Sequence, residues 1–246
     1  MQPSHAVLKS LLKSPKHQAF LSSSLQAALN AIPPCDVNWI QQEPVFIQHM
    51  DPSWLSPEEL RFYHLCNSLN SKMQSFAKSK LWQSVKPSYL LPFPVAKELP
   101  LGTIITLSQD QIMQLIHLLG LHDLALDARK IIQKNTRQAI ERSLSGAQKS
   151  FFHSIATNLS VVDFGRLNLN RWDGSEETLQ AVLFHRGLNR LGKALYTCDK
   201  SVLWYLTRRL SQDLSNQLLK MRVDLANPKA QKALVDEVEH ALRTLL

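Results

Sequence analysis

Apolar residues recur three and four positions apart over most of this chain, the period of a helix with one face turned inward. From Ser108 the pattern is regular: Ile112, Leu115, Ile116 and Leu119 form a stripe, Ser108 and Gln111 have capping-box spacing, and Gly120 marks the expected end. A second helix is expected from about Leu121, carried by Leu124, Ala128, Ile131, Ile132, Thr136, Ala139 and Ile140. Residues 147–159 predict a third, with Phe151, Phe152 and Ile155 inward. Ser175 caps a helix over 176–191, with Glu176 and Glu177 in the first turn, where the helix dipole favours negative charge. Residues 200–222 predict the longest helix, with Leu203, Leu206, Leu210, Leu214, Leu218 and Met221 on one side. Asn227-Pro228 opens the last, whose stripe is Leu234, Val235, Val238, Leu242 and Leu245.

The first hundred residues are less regular. Two short amphipathic segments within 4–31 break at Pro15 and stop at Pro33-Pro34. Over 36–56, Trp39, Ile40, Val45, Phe46 and Ile47 alternate with polar residues and prolines, an extended loop that pins aromatics to a core. Ser56-Pro57-Glu58-Glu59 is a helix start with a cap, a proline at the first helical position and a capping-box glutamate. Leu60, Tyr63, Leu69, Met73 and Phe76 extend that helix toward Trp82. Pro87, Pro92, Pro94 and Pro100 then interrupt an apolar connector that includes Tyr89, Leu90, Leu91 and Phe93. The break at Val161-Val162-Asp163-Phe164-Gly165 reads as a short strand or a loop. The expected fold is therefore all-α, an irregular helical bundle with an extended proline- and aromatic-containing N-terminal region. Residues 1–100 hold N-terminal helices with aromatic and proline-rich loops, and 101–246 the helical body.

Composition agrees. With 44% hydrophobic and 20% charged residues the chain is globular, and 7 glycines are too few for a protein of many tight turns or phosphate-cradling loops. No signal peptide is expected, because Lys9, Lys13 and Lys16 interrupt the N-terminal segment. The most apolar stretch, 104–121, contains Asp110 among three glutamines, so no membrane span is expected. Cys35, Cys66 and Cys198 are odd in number and far apart, which points to reduced thiols in a cytoplasmic protein.

Candidate chemistry is sparse. His117 and His122 are five apart, which does not place them on one helix face, and no HExxH or CxxC occurs, so neither metal nor cofactor is expected. Glu58 and Glu59 are accounted for by helix capping. Without a G-x-S-x-G, a Walker loop or a G-x-G-x-x-G, no catalytic residue is assigned and no enzyme is expected. The net charge of +8 remains, and Arg129, Lys130, Lys134, Arg137 and Arg142 recur at helical spacing. Such a stripe is a solvated face, a contact for acidic groups on a protein, or a phosphate track. Trp54, Phe62 and Tyr63 are core anchors or a binding patch.

Two segments carry a further signal. Leu118-Leu119-Gly120-Leu121-His122 runs into Ala128-Arg129-Lys130-Ile131-Ile132, and Gly187-Leu188, Leu191, Ala194-Leu195 lead to Leu203-Trp204 and Arg208-Arg209-Leu210. These stretches resemble the SctK family, cytosolic components of the type III secretion injectisome. Val45-Phe46-Ile47-Gln48-His49 with Pro52-Ser53-Trp54-Leu55 is similar to an N-terminal segment of some members. Residues 1–40 and the C-terminal helix have no counterpart in the resemblance.

The resemblance implies a non-enzymatic adaptor of the sorting platform, at the cytoplasmic face of the bacterial inner membrane. Its partners would be the cytoplasmic domain of the inner-membrane ring protein and the cytosolic pod or C-ring protein, with membrane association indirect. Under that implication the charged contact falls on Arg129, Lys130, Lys134 and Arg137, and the apolar contact near Trp54 and Leu55. Two other classes remain open: a basic helical nucleic-acid-binding or regulatory protein, and a peripheral membrane protein using Val7, Leu8, Leu11 and Leu12.

Overall fold

A computed structural model describes Phe46 and residues 50–67, 71–129, 134–157, 162–167, 169 and 172–246. The expected helices within 4–31 and most of the aromatic loop over 36–56 lie outside these residues. The chain is all-α, with no strand among the described residues. It divides into two compact units, Met1–Ser88 and Tyr89–Leu246. The division falls within the proline-rich connector, after Pro87, so residues 89–100 go with the second unit.

In the first unit, a 3-10 turn at Pro52–Trp54 leads to α1 (Pro57–Asn67) and α2 (Ser71–Val85). The expected cap forms: Ser56 N–H donates to Glu59 Oε2 at 2.9 Å, and Glu59 N–H donates to Ser56 Oγ at 3.2 Å. The helix expected to reach Trp82 is two helices. Phe46 and Trp82, both buried, meet edge to face at 5.7 Å, and Met50, Met73, Ala77 and Leu81 are buried as well.

The second unit contains α3 (Phe93–Lys97), a 3-10 turn at Gly102–Thr106, α4 (Gln109–Ala128), α5 (Lys134–Arg142), α6 (Gly146–Thr157) and α7 (Glu176–Ala194). After a 3-10 turn at Leu195–Thr197 come α8 (Lys200–Arg209), α9 (Gln212–Lys220) and α10 (Pro228–Leu245). The caps read from the sequence form at Ser108, Ser175 and Asn227. A further capping box, unremarked in the sequence, joins Ser145 to Gln148.

The helix expected to end at Gly120 runs straight through it to Ala128. Gly120 is a packing residue here, not a terminator. A Cβ on it would lie 2.0 Å from the backbone oxygen of Leu183 on α7, and one on Gly187 would lie 1.7 Å from the backbone oxygen of Ile116 on α4. The two helices thus cross backbone against backbone, each lending the other a glycine. Because α4 also packs against α6 and α10, it is enclosed on more than one side. Ile112, Leu115, Ile116, Leu118, Leu119, Leu121 and Leu124 are all buried, which a single stripe does not predict.

One other expectation is corrected. The helix expected over 200–222 breaks at Leu210, whose backbone is extended, and Ser211 caps the start of α9. Ser215 Oγ then donates to Thr207 O at 2.7 Å, satisfying a carbonyl at the end of α8. The connector, for its part, is packed and partly helical. Phe93 meets Tyr205 edge to face at 5.3 Å, Tyr205 donates its hydroxyl to Leu91 O at 2.9 Å, and Leu91 N–H donates to Ser201 Oγ at 3.2 Å.

Candidate functional site

The basic stripe does not run along one helix. α4 ends at Ala128, and α5 covers Lys134–Arg142. Asp127 Oδ2 accepts from Leu167 N–H at 2.5 Å, and Arg129 Nη2 donates to Ala156 O at 2.8 Å, closing the C-terminus of α6. Arg129 is exposed but committed to that carbonyl. Lys130 lies outside the described residues, as does the side chain of Lys134. Arg137 and Arg142 are exposed on α5, while Ile140 turns inward.

Trp54 and Leu55 are adjacent and half-buried, Trp54 closing the 3-10 turn and Leu55 extended beyond it. They belong to the first unit, whereas the cations belong to the second.

Among the described residues, a buried polar network lies elsewhere, at Arg190 on α7. Its side chain is fully buried, donating from Nη2 to Asp123 Oδ1 on α4 at 2.5 Å and from Nη1 to Glu237 Oε2 on α10 at 2.6 Å. One guanidinium thus joins three helices. Nη2 also donates to Val162 O at 2.9 Å, and the Phe164 ring centroid lies 5.1 Å from the guanidinium carbon. Arg186, one turn earlier on α7, donates to Phe164 O and Arg166 O, both at 2.9 Å, and Lys193 Nζ sits 4.9 Å from the same ring centroid. Residues 162–167, read as a strand or a loop, are an extended strap with its carbonyls gripped by α7 and its Leu167 N–H held by α4.

His122 lies beside this junction, buried, with its ring edge-on to Phe151 at 5.8 Å. Neither ring nitrogen has a hydrogen-bond partner among the described residues. Burial, with smaller contributions from the charge on Arg190 and from His240, pushes its pKa down to about 3, so the imidazole is neutral at ordinary pH. Burial also raises the Asp123 carboxyl above its usual range, against the pull of Arg190.

The junction ties α4, α7, α10 and the strap together, and sequence reading missed it because one arginine among the polar residues of α7 has no local signature. The signal available was Arg190 standing three residues after Gly187, on a helix whose neighbours are apolar.

Other candidates are quickly placed. No group of three or more His, Cys, Asp or Glu side chains is disposed to hold a metal among the described residues. Cys198 is buried, and burial with the nearby Asp199 carboxylate pushes its thiol up to about 11, so it stays protonated. No helix among the described residues is long and apolar enough to cross a membrane. Set against family models, curated proteins and solved structures, the chain matches none of them.

Proposed function

We propose that this chain is a non-enzymatic adaptor of a bacterial type III secretion sorting platform, bridging the cytoplasmic domain of the inner-membrane ring protein to the cytosolic pod or C-ring protein. What supports the reading is that the two segments resembling the SctK family are the two sides of one crossing in the fold. Leu118-Leu119-Gly120 belongs to α4 and Gly187-Leu188 to α7, and their glycines make the closest backbone approach of the two helices. Such a crossing gives a stiff body whose outer faces are free to recognise other proteins.

Binding by rigid faces divides the work between charge, which steers approach, and a few desolvated aromatic or aliphatic contacts, which supply affinity. Arg137, with Lys130 and Lys134, would serve the first, and Trp54 and Leu55 the second. The experiment is co-purification of the full chain with the ring protein's cytoplasmic domain and with the pod protein, followed by size-exclusion chromatography of all three. A complex containing all three is expected. Failure to bind either partner would end the reading.

A nucleic-acid-binding reading draws on the net charge of +8. It predicts retention of duplex DNA or RNA at low salt, lost steeply as salt rises.

A further inference from the structure

His122 is a titratable group held where it cannot take a charge without penalty. It is buried on α4, and neither ring nitrogen has a hydrogen-bond partner among the described residues. Phe151 of α6 stands edge-on to the ring at 5.8 Å, and the same Phe151 meets His240 of α10 with ring centroids 5.5 Å apart. The imidazole thus sits where α4, α6 and α10 come together, beside the ionic junction at Arg190.

The helices around it are fastened differently. α6 is tied near both ends, by Arg129 donating to Ala156 O at 2.8 Å and by Gln148 donating to Gln180 at 2.9 Å. α7 crosses α4 backbone against backbone at Gly120 and Gly187. On α10, Gln231 Nε2 holds the N-terminal end by donating to Lys193 O at 2.9 Å and Ala194 O at 3.1 Å. Further along, Glu237 reaches Arg190 at 2.6 Å, and Val238, Ala241 and Leu242 are buried. An opening that admits water to His122 disturbs least if it parts this last stretch from the body.

We infer that α10, from Glu237 onward, is an acid-released latch, freed from α4 and α7 by protonation of His122 while the rest of the helical body stays folded. Release would bare Val238, Ala241 and Leu242 and the side of α4 and α7 against which α10 packs. The inference is independent of the adaptor reading.

The groups facing the ring set the direction. Burial first, then Arg190 of α7 and His240 of α10, hold its pKa at about 3 against an ordinary 6.5. Phe151, from α6, carries no charge. Asp123 of α4, Arg186 of α7 and Asp163 of the strap lie around the same junction, and Glu237 faces Arg190 from α10. With α10 drawn away, water reaches the imidazole and its pKa returns toward 6.5, so the open form takes up a proton that the closed form refuses. The latch is therefore held most firmly above about pH 6.5, and acid favours opening progressively from there toward pH 3. Asp123 acts in the opposite sense. Burial raises its carboxyl, so the closed form keeps that proton more readily and gains stability as pH falls. Replacing His122 leaves this opposing dependence in place.

The test is amide hydrogen exchange of the full chain, read by mass spectrometry at pH 7 and pH 5 and corrected for the intrinsic effect of pH on exchange. Protection over 238–245 is expected to fall about tenfold, against a ceiling of about twenty-fivefold for a ring whose pKa returns fully to 6.5. At pH 5 these amides should be at least about tenfold less protected than 112–124 on α4. Their exchange should also respond weakly to low urea, the sign of a small local opening. In His122→Phe and in His122→Gln, neither of which titrates, the fall between pH 7 and pH 5 should vanish; the second serves where a phenyl ring disturbs the packing. An unchanged fall in both variants, no fall in the parent, or equal protection of the two segments at pH 5 would each overturn the latch.

Discussion

Arg190, at the junction of α4, α7 and α10, is enclosed on every side and holds two carboxylates, a backbone carbonyl and the face of a ring. Arg142, at the end of α5, carries the same guanidinium on an exposed position. The difference lies in what a change of residue would leave behind. Remove the first, and two carboxylates remain stranded in a low-dielectric interior. Remove the second, and water takes its place. The buried arginine fixes how three helices meet, and the exposed one adds charge to the surface of α5.

The largest effect should come from the crossing on which Arg190 is mounted. Gly187→Ala puts a methyl group where the Ile116 carbonyl oxygen now lies, so α4 and α7 must separate. A stability loss of at least about 3 kcal/mol is expected, read by chemical denaturation. A loss under about 1 kcal/mol would show that the helices part easily, and the contrast between a rigid interior and an accommodating surface would weaken.

Next in size is Arg190→Met, expected to cost about 3–5 kcal/mol because Asp123 and Glu237 lose their counter-charge while still buried. The triple variant Asp123→Asn/Arg190→Met/Glu237→Gln should recover part of that loss, since it strands no charge. If the single and triple variants were equally unstable, packing rather than ionic pairing would be what the junction provides.

How legible was this in the sequence? The caps at Ser56, Ser108, Ser175 and Asn227 were, because a cap is a local event between residues three apart. The helical class and the inward faces of α6 and α10 were legible for the same reason. Gly120 was misread because a glycine that ends a helix and one that admits a neighbouring helix look identical until Leu183, sixty-three positions on, is seen beside it. The break at Leu210 escaped notice because the leucine period continues across it, while the turn is fixed by Ser211 and by a bond from Ser215 back to Thr207. The basic stripe was read as one helix for a like reason: the period continues past Ala128, where α4 ends. The ionic junction, joining positions 123, 190 and 237, depends wholly on such long-range meetings.

A third prediction concerns acid. His122 has an ordinary pKa of 6.5 and one of about 3 in the folded protein, so the unfolded chain binds a proton that the folded chain refuses. Stability from this site is complete above about pH 6.5 and is lost progressively as pH falls toward 3. His122→Phe removes that penalty, and its stability loss between pH 7 and pH 4 should be smaller than the parent's by about 3 kcal/mol. Parallel pH profiles for parent and variant would mean that the ring is reached by water or already protonated when folded.

The smallest effect separates the two kinds of arginine most finely, because Arg129 belongs partly to each. It is exposed like Arg142, yet its Nη2 donates to Ala156 O at the end of α6. Arg129→Gln should therefore lower stability by about 0.5–1 kcal/mol, the range for one charge-assisted bond at an exposed helix end. Arg142→Gln, with no such bond to lose among the described residues, should change stability by less than about 0.5 kcal/mol. Equal losses for the two substitutions, read by chemical denaturation, would show that an exposed hydrogen bond to a helix terminus adds nothing measurable to this fold.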